Sequence, residues 1–151
     1  MTVIDSRDIP ADPESTERLA AGSLTYRVVD GSDQTRADVF QRATTRGFLG
    51  AEPSPEELAF GQHTFDARRN TGVYETAAAD TMPVATIDSW VTPVTLPGGA
   101  ELPMWAISGV TVSATHRRRG IARALLEGEL RSAAAERALS DLSELPIEVS
   151  E

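Results

Sequence analysis

The chain has 151 residues, no cysteine, and 14 Lys plus Arg against 23 Asp plus Glu, a formal net charge of −9. That length suits one domain with one core, and without cysteine there are no disulfides, no thiol nucleophile and no cysteine-ligated metal; two lone histidines add no metal site. The negative charge opposes non-specific nucleic-acid binding, which needs a net basic surface to release counterions. No run of about 18 apolar residues is present to span a bilayer, and the first residues lack the basic segment and apolar stretch of a secretion signal. A soluble, cytoplasmic protein with neither a membrane nor a nucleic-acid partner is expected.

Residues 1–22 carry Asp5, Asp8, Asp12, Glu14 and Glu17 with Pro10, Pro13 and no sustained periodicity, which reads as a mobile acidic arm outside the core. Residues 23–151 are then the single domain. Residues 24–29 alternate as a strand should, and Asp30-Gly31-Ser32-Asp33 forms a turn able to cap a following helix. Val39, Phe40 and Ala43 recur at helical spacing over residues 36–46, and Gly47 is a usual stop. Ser54-Pro55-Glu56-Glu57 opens a second helix, because serine caps, proline suits the first turn and acids favour the positive end of the dipole. Leu58, Phe60, His63 and Phe65 lie on it or near its end.

A short strand is predicted over residues 71–76 and a longer one over 84–96, with Ile87, Ser89 and Val91 opposite Thr86, Asp88 and Trp90. Pro97-Gly98-Gly99 supplies a turn, and residues 102–112 return antiparallel. Alternation along that last strand puts Met104, Ala106, Ser108, Val110 and Val112 on one face and Trp105, Ile107, Gly109 and Thr111 on the other. A basic turn comes next, then a helix to about residue 139 whose Ala122, Leu125, Leu126, Leu130, Ala133 and Ala134 share a face. Residues 145–149 are predicted as a last short strand.

The basic turn, His116-Arg117-Arg118-Arg119-Gly120-Ile121-Ala122-Arg123, is the most informative stretch. The first amides of a helix have no intrahelical partner and present a positive dipole end, which makes an anion cradle. Gly120 and Ala122 are small where a ligand must approach the backbone. Four arginines between positions 117 and 123 of an acidic chain make a local field suited to a polyanion. The edge of the preceding strand offers main-chain hydrogen bonds to an extended ligand.

Arg117-Arg118-Arg119-Gly120-Ile121-Ala122 resembles the pyrophosphate loop of the GNAT superfamily of acetyl-CoA-dependent N-acetyltransferases: Gln or Arg, any two residues, Gly, any residue, then Gly or Ala, at a strand-to-helix junction. More narrowly, Val110-Thr111-Val112-Ser113-Ala114-Thr115 and the basic turn after it are similar to the loop of the enhanced intracellular survival branch, with Ala114 in place of the commoner proline. The resemblance implies an α/β fold with a mixed, mostly antiparallel sheet flanked by helices. It implies acetyl-CoA as co-substrate and transfer of the acetyl group to a primary amine, on a small molecule or a lysine, by direct attack. The main chain of Val110, Thr111 and Val112 would pair with the pantetheine arm, and Arg118, Arg119, Gly120, Ile121, Ala122 and Arg123 would enclose the pyrophosphate.

The element order matches the family's first to fifth strands over residues 24–149. The family's helix and strands beyond the fifth strand are missing, so a truncated fold is expected, with a homo-oligomer or a completing chain at the open sheet edge. The alternative reading is a non-catalytic acyl-CoA-binding or interaction module left by truncation. In chemical terms a backbone N–H of residues 110–112 can serve as oxyanion donor, worth ~3 kcal/mol. The family's usual acid is a tyrosine beyond the fifth strand, and Tyr26 and Tyr74 lie elsewhere; nor is Glu151 assumed to replace the C-terminal carboxylate used in the survival branch. Catalytic residues are therefore unassigned, with Glu75 and Asp88 as candidate bases. His116 is expected to order the turn, and Trp90, Met104 and Trp105 to pack the hairpin. Ser108 has no histidine at a hydrolase spacing, and no Gly-Lys-Ser/Thr marks a P-loop.

Overall fold

The computed structural model describes residues 5–135. Strands β1 (Leu24–Val28), β2 (Arg69–Glu75), β3 (Ala85–Thr95) and β4 (Glu101–Val112) form one antiparallel sheet in the order β1-β2-β3-β4. Helices α1 (Pro13–Ala20) and α4 (Ile121–Ala135) cover one face, and α2 (Gln34–Gly47) and α3 (Pro55–Asp66) cover the other. This is the expected α/β layering. Local chemistry sets the helix starts: Ser54 and Glu57 form a reciprocal capping box with Pro55 in the first turn of α3, and Asp33 accepts from the Arg36 amide at the start of α2. Among the described residues no helix is long and apolar enough to cross a membrane.

Residues 5–22 do not stand outside the core as expected. Asp12 caps α1 by accepting from the Ser15 amide, with Pro13 in the first turn. Leu19 then joins Leu24, Tyr26, Val73, Ile87 and Leu125 in the main core, while Ile9 packs with Trp105 and Ala133. Polar ties fix α1 to α4, among them the Ser15 hydroxyl, which donates to the Ala124 carbonyl at 2.7 Å, and Arg131, which pairs with Asp12 at 3.0 Å. The acidic composition misled because Asp12 is a cap and a buried ion-pair partner, not part of a solvated run.

Two facing assignments also change. Asp88 pairs with Ser108 but Thr86 pairs with Thr111, so β4 takes three steps where β3 takes two. The extra residue forms a β-bulge at Gly109, whose φ is +60°. Strict alternation breaks there. Trp105, Ile107, Val110 and Val112 all pack with the α1 and α4 side, whereas Ser108 lies beneath α2 and α3. Thr111 shares that second face: it touches the Thr86 hydroxyl at 2.7 Å and lies so close to Gly47 of α2 that a Cβ there would overlap it.

On α4 the buried face is Ile121, Ala124, Leu125, Gly128, Glu129, Ser132 and Ala133, while Leu126 and Leu130 are 39% and 57% exposed. Glu129 displaces the leucines because its carboxylate is fully supplied. It accepts from Ser89 at 2.6 Å, Thr71 at 3.3 Å and Tyr26 at 3.4 Å, and it faces the Arg69 guanidinium at 3.4 Å. Arg69 in turn donates to the carbonyls of Ile9 and Pro10. A buried charge is tolerable only when paired and hydrogen-bonded in this way. The remainder of the helix predicted to residue 139 and the strand predicted at 145–149 lie outside the described residues.

Candidate functional site

After Val112 the chain makes a 3-10 turn, Ala114–His116, then passes through Arg117 to Gly120 into α4. His116 is buried and anchors this turn: Thr115 Oγ1 lies 2.8 Å from Nδ1, and Glu75 Oε1, at the end of β2, lies 2.9 Å from Nε2. Arg118 and Gly120 take left-handed φ values of 63° and 75°. For a residue with a Cβ that conformation costs about 1 kcal/mol, and such strain collects where ligands bind.

The start of α4 differs from the other three helix starts. Asp12, Asp33 and Ser54 each cap a helix with a side-chain oxygen. Among the described residues no oxygen accepts from the amides of Arg118, Arg119, Gly120, Ile121, Ala122 or Arg123, and the first paired amide is that of Ala124, bonded to the Gly120 carbonyl at 3.0 Å. Among the described residues, chain neighbours aside, a Cβ built on Gly120 would have only Arg18 Nη2 within 4 Å, at 3.7 Å. The amides expected to grip an anion thus have no partner among the described residues.

The arginines around this turn are not equivalent. Arg117 turns back, its Nε donating to the Val112 carbonyl at 3.3 Å, and Arg119 reaches the Gly22 carbonyl at 3.3 Å. Arg123 pairs with Glu127 at 2.6 Å, and the other oxygen of Glu127 takes Arg18 of α1 at 3.0 Å. Arg18 escaped sequence reasoning because it lies in the segment set aside as an arm. β4 is the end strand of the described sheet, so one edge of the Val110, Thr111 and Val112 main chain faces no other strand there. Beside it lies a cavity of about 330 Å³ bordered by Gly47, Leu49, Val84, Val112, Ser113 and Arg117.

A second cavity, about 340 Å³, opens on the α2 and α3 side of the bulge and is bordered by Phe40, Phe48, Phe65, Arg68, Asp88 and Ser108. Asp88 is 7% exposed, and a Cβ on Gly109 would overlap its Oδ2, so the carboxylate lies directly against the bulge. Burial pushes its pKa up; the Arg68 guanidinium, 2.8 Å away, opposes the rise without cancelling it. Arg68 is itself held over the Trp90 ring at 3.8 Å. Of the two candidate bases only Asp88 borders this cavity, since Glu75 is bound to His116. The two tyrosines serve packing. Tyr26 is buried against Glu129, and Tyr74 lies under the Arg27 guanidinium at 4.2 Å. Arg68 was not singled out from sequence, because its partners Asp88 and Trp90 become neighbours only through strand pairing.

An antiparallel sheet whose bulged strand β4 runs through a basic turn into a helix agrees with the acetyltransferase resemblance of that turn. The family model described as an acetyltransferase (GNAT) domain matches residues 28–142, and the chain belongs to that family. An uncharacterized N-acetyltransferase of Streptomyces griseus subsp. griseus is 37% identical over 112 residues, covering 74% of this chain and 25% of the relative. The matched stretch therefore spans about a quarter of the length of the curated relatives it matches. Among solved structures, Eis1 from Mycobacterium abscessus superposes with a TM-score of 0.55 at 24% identity, over 75% of this chain and 26% of that one. A predicted acetyltransferase with acetyl-CoA from Clostridium acetobutylicum superposes at 0.54 with 17% identity, over 75% of each chain. At these identities the likeness is one of fold.

Proposed function

We propose that this domain binds acetyl-CoA along β4 and at the start of α4 and transfers the acetyl group to a primary amine, on a small molecule or a lysine. The observation that carries the reading is the row of amides from Arg118 to Arg123 that has no partner among the described residues, in contrast to the side-chain caps that start α1, α2 and α3. Gly120, Ile121, Ala122 and Arg123, with Arg118 and Arg119, hold the diphosphate, since converging N–H donors and a helix dipole favour an anion there. The main-chain edge of Val110, Thr111 and Val112 that faces no described strand aligns the pantetheine arm and supplies the N–H that polarises the thioester carbonyl. Membership in the acetyltransferase family and the acetyl-CoA-bound relative in fold support the choice of ligand.

The amine approaches from the Asp88 cavity. An alkylammonium with pKa near ~10 is not a nucleophile until it loses a proton, and Asp88, raised by burial, is the carboxylate placed to take it. The neutral nitrogen then forms the C–N bond and loses a second proton as the C–S bond breaks, so that of the two protons that leave the ammonium one ends on the departing thiolate and the other passes through Asp88 to solvent. Titration calorimetry with CoA, followed by turnover of acetyl-CoA against a panel of amines, tests the reading. No heat with CoA refutes it. Binding without turnover of any amine would leave only an acyl-CoA-binding module.

A further inference from the structure

The helix that carries Arg18 lies ahead of the matched family span, which begins at residue 28. Its position is nevertheless fixed. Leu19 is buried in the main core beside Ile121 and Leu125, Ser15 donates to the Ala124 carbonyl, and Asp12 pairs with Arg131. Those ties hold α1 along α4, with Leu19 near its C-terminal end packed beside Ile121 and Leu125. Arg18, one residue before Leu19, consequently reaches Gly120, and among the described residues, chain neighbours aside, its Nη2 is the single atom within 4 Å of a Cβ built there.

One edge of this guanidinium is already in use, Nη1 pairing with Glu127 at 3.0 Å. Among the described residues Nη2 donates to no protein oxygen, and its side chain is 48% exposed. Glu127 bridges Arg18 and Arg123, so one carboxylate orients two guanidiniums, and with Arg119 nearby the positive charge is in excess. A fixed fork with a free edge, next to a row of unpaired amides, is suited to a phosphate oxygen.

We infer that Arg18 is a ligand for a phosphate group of the bound nucleotide, so that α1 forms part of the coenzyme site. The inference rests on the coenzyme reading above. Two phosphates share the required chemistry, the diphosphate bridge and the 3′-phosphomonoester of CoA, and a ligand pair separates them.

Calorimetry of the full chain with CoA and with 3′-dephospho-CoA, for the wild type, Arg18→Ala and Glu127→Gln, is the test. Arg18→Ala should weaken CoA binding about tenfold, the scale of one charge-assisted hydrogen bond at a half-exposed site, and should flatten its dependence on salt. A loss with both ligands assigns Arg18 to the diphosphate; a loss with CoA alone assigns it to the 3′-phosphate. Glu127→Gln keeps the arginine and only loosens its orientation, so affinity should fall by clearly less than in Arg18→Ala. Unchanged affinity in Arg18→Ala would overturn the inference and leave the coenzyme reading standing. A loss in Glu127→Gln equal to that in Arg18→Ala would also overturn it, because the ion pair alone would then explain the effect. A wild-type chain that binds neither ligand sinks the coenzyme reading and this inference together.

Discussion

Helix α4 carries two carboxylate clusters only two residues apart, one around Glu129 and one around Glu127, and they differ in completeness. Glu129 is fully buried, accepts from Ser89, Thr71 and Tyr26, and faces an arginine whose terminal nitrogens are taken by the carbonyls of Ile9 and Pro10. Glu127 lies at the surface, its arginines keep free edges, and the amides one turn away have no partner among the described residues. The first cluster is closed to solvent and leaves only Arg69 Nε without a hydrogen bond among its described members. It joins α4, the sheet and the N-terminal segment. The second holds its donors in place without saturating them, as a binding site requires.

The contrast breaks if the closed cluster proves dispensable. Glu129→Ala leaves Arg69 charged and buried without its counterion, and should destabilise the domain by about 3–5 kcal/mol, read as a shift in the denaturant midpoint. The double change Glu129→Leu with Arg69→Met should recover much of that loss, since it removes both charges together. A cost below about 1 kcal/mol for Glu129→Ala would mean that the pair is solvated after all.

The open cluster should respond in the opposite way, with binding lost and folding kept. Gly120→Val places a branched side chain in the crevice where the ligand must meet the backbone, and CoA affinity should fall on the order of a hundredfold or more. Stability should fall by only about 1–2 kcal/mol, the cost of a left-handed φ with a Cβ, because only the flexible end of Arg18 lies nearby. Calorimetry and a thermal melt on the same sample separate the two effects. Retained affinity would show that the main-chain contact is misassigned.

Strands, helix caps and the basic turn were legible because each is written in adjacent residues. Ser54-Pro55-Glu56-Glu57 became a capping box and Pro97-Gly98-Gly99 a hairpin turn. Gly109 was readable in part, since a glycine inside a strand warns of a bulge, but applying alternation through it put Val110 and Val112 on the wrong face. Asp12-Pro13-Glu14 is a helix-start signature of the same kind as the one at Ser54, hidden by reading residues 1–22 for their charge. Glu129 could not be read locally at all. A glutamate on a helix is solvent-facing by default, and the partners that bring it inside lie 40 to 103 positions away along the chain. In the candidate site, the basic turn before α4 is written in adjacent residues, whereas the positions of Arg18 and Arg68 depend on tertiary packing.

The smallest expected effect on stability concerns Asp88 and distinguishes chemistry from packing at the bulge. Its folded-state pKa lies above the ordinary 3.8 because burial disfavours the carboxylate, although Arg68 opposes this. Between that value and the raised one, the folded protein keeps a proton that the unfolded chain has released, so Asp88 makes stability fall as pH rises through the window. Asp88→Asn removes the titration, and melting temperatures taken from about pH 3 to pH 7 should show a shallower decline than in the wild type. If Asp88 also takes the amine's proton, the same variant should lose about a hundredfold in turnover while CoA affinity stays unchanged. Full turnover with an altered melting profile would assign Asp88 to the packing of Arg68 on Trp90 alone.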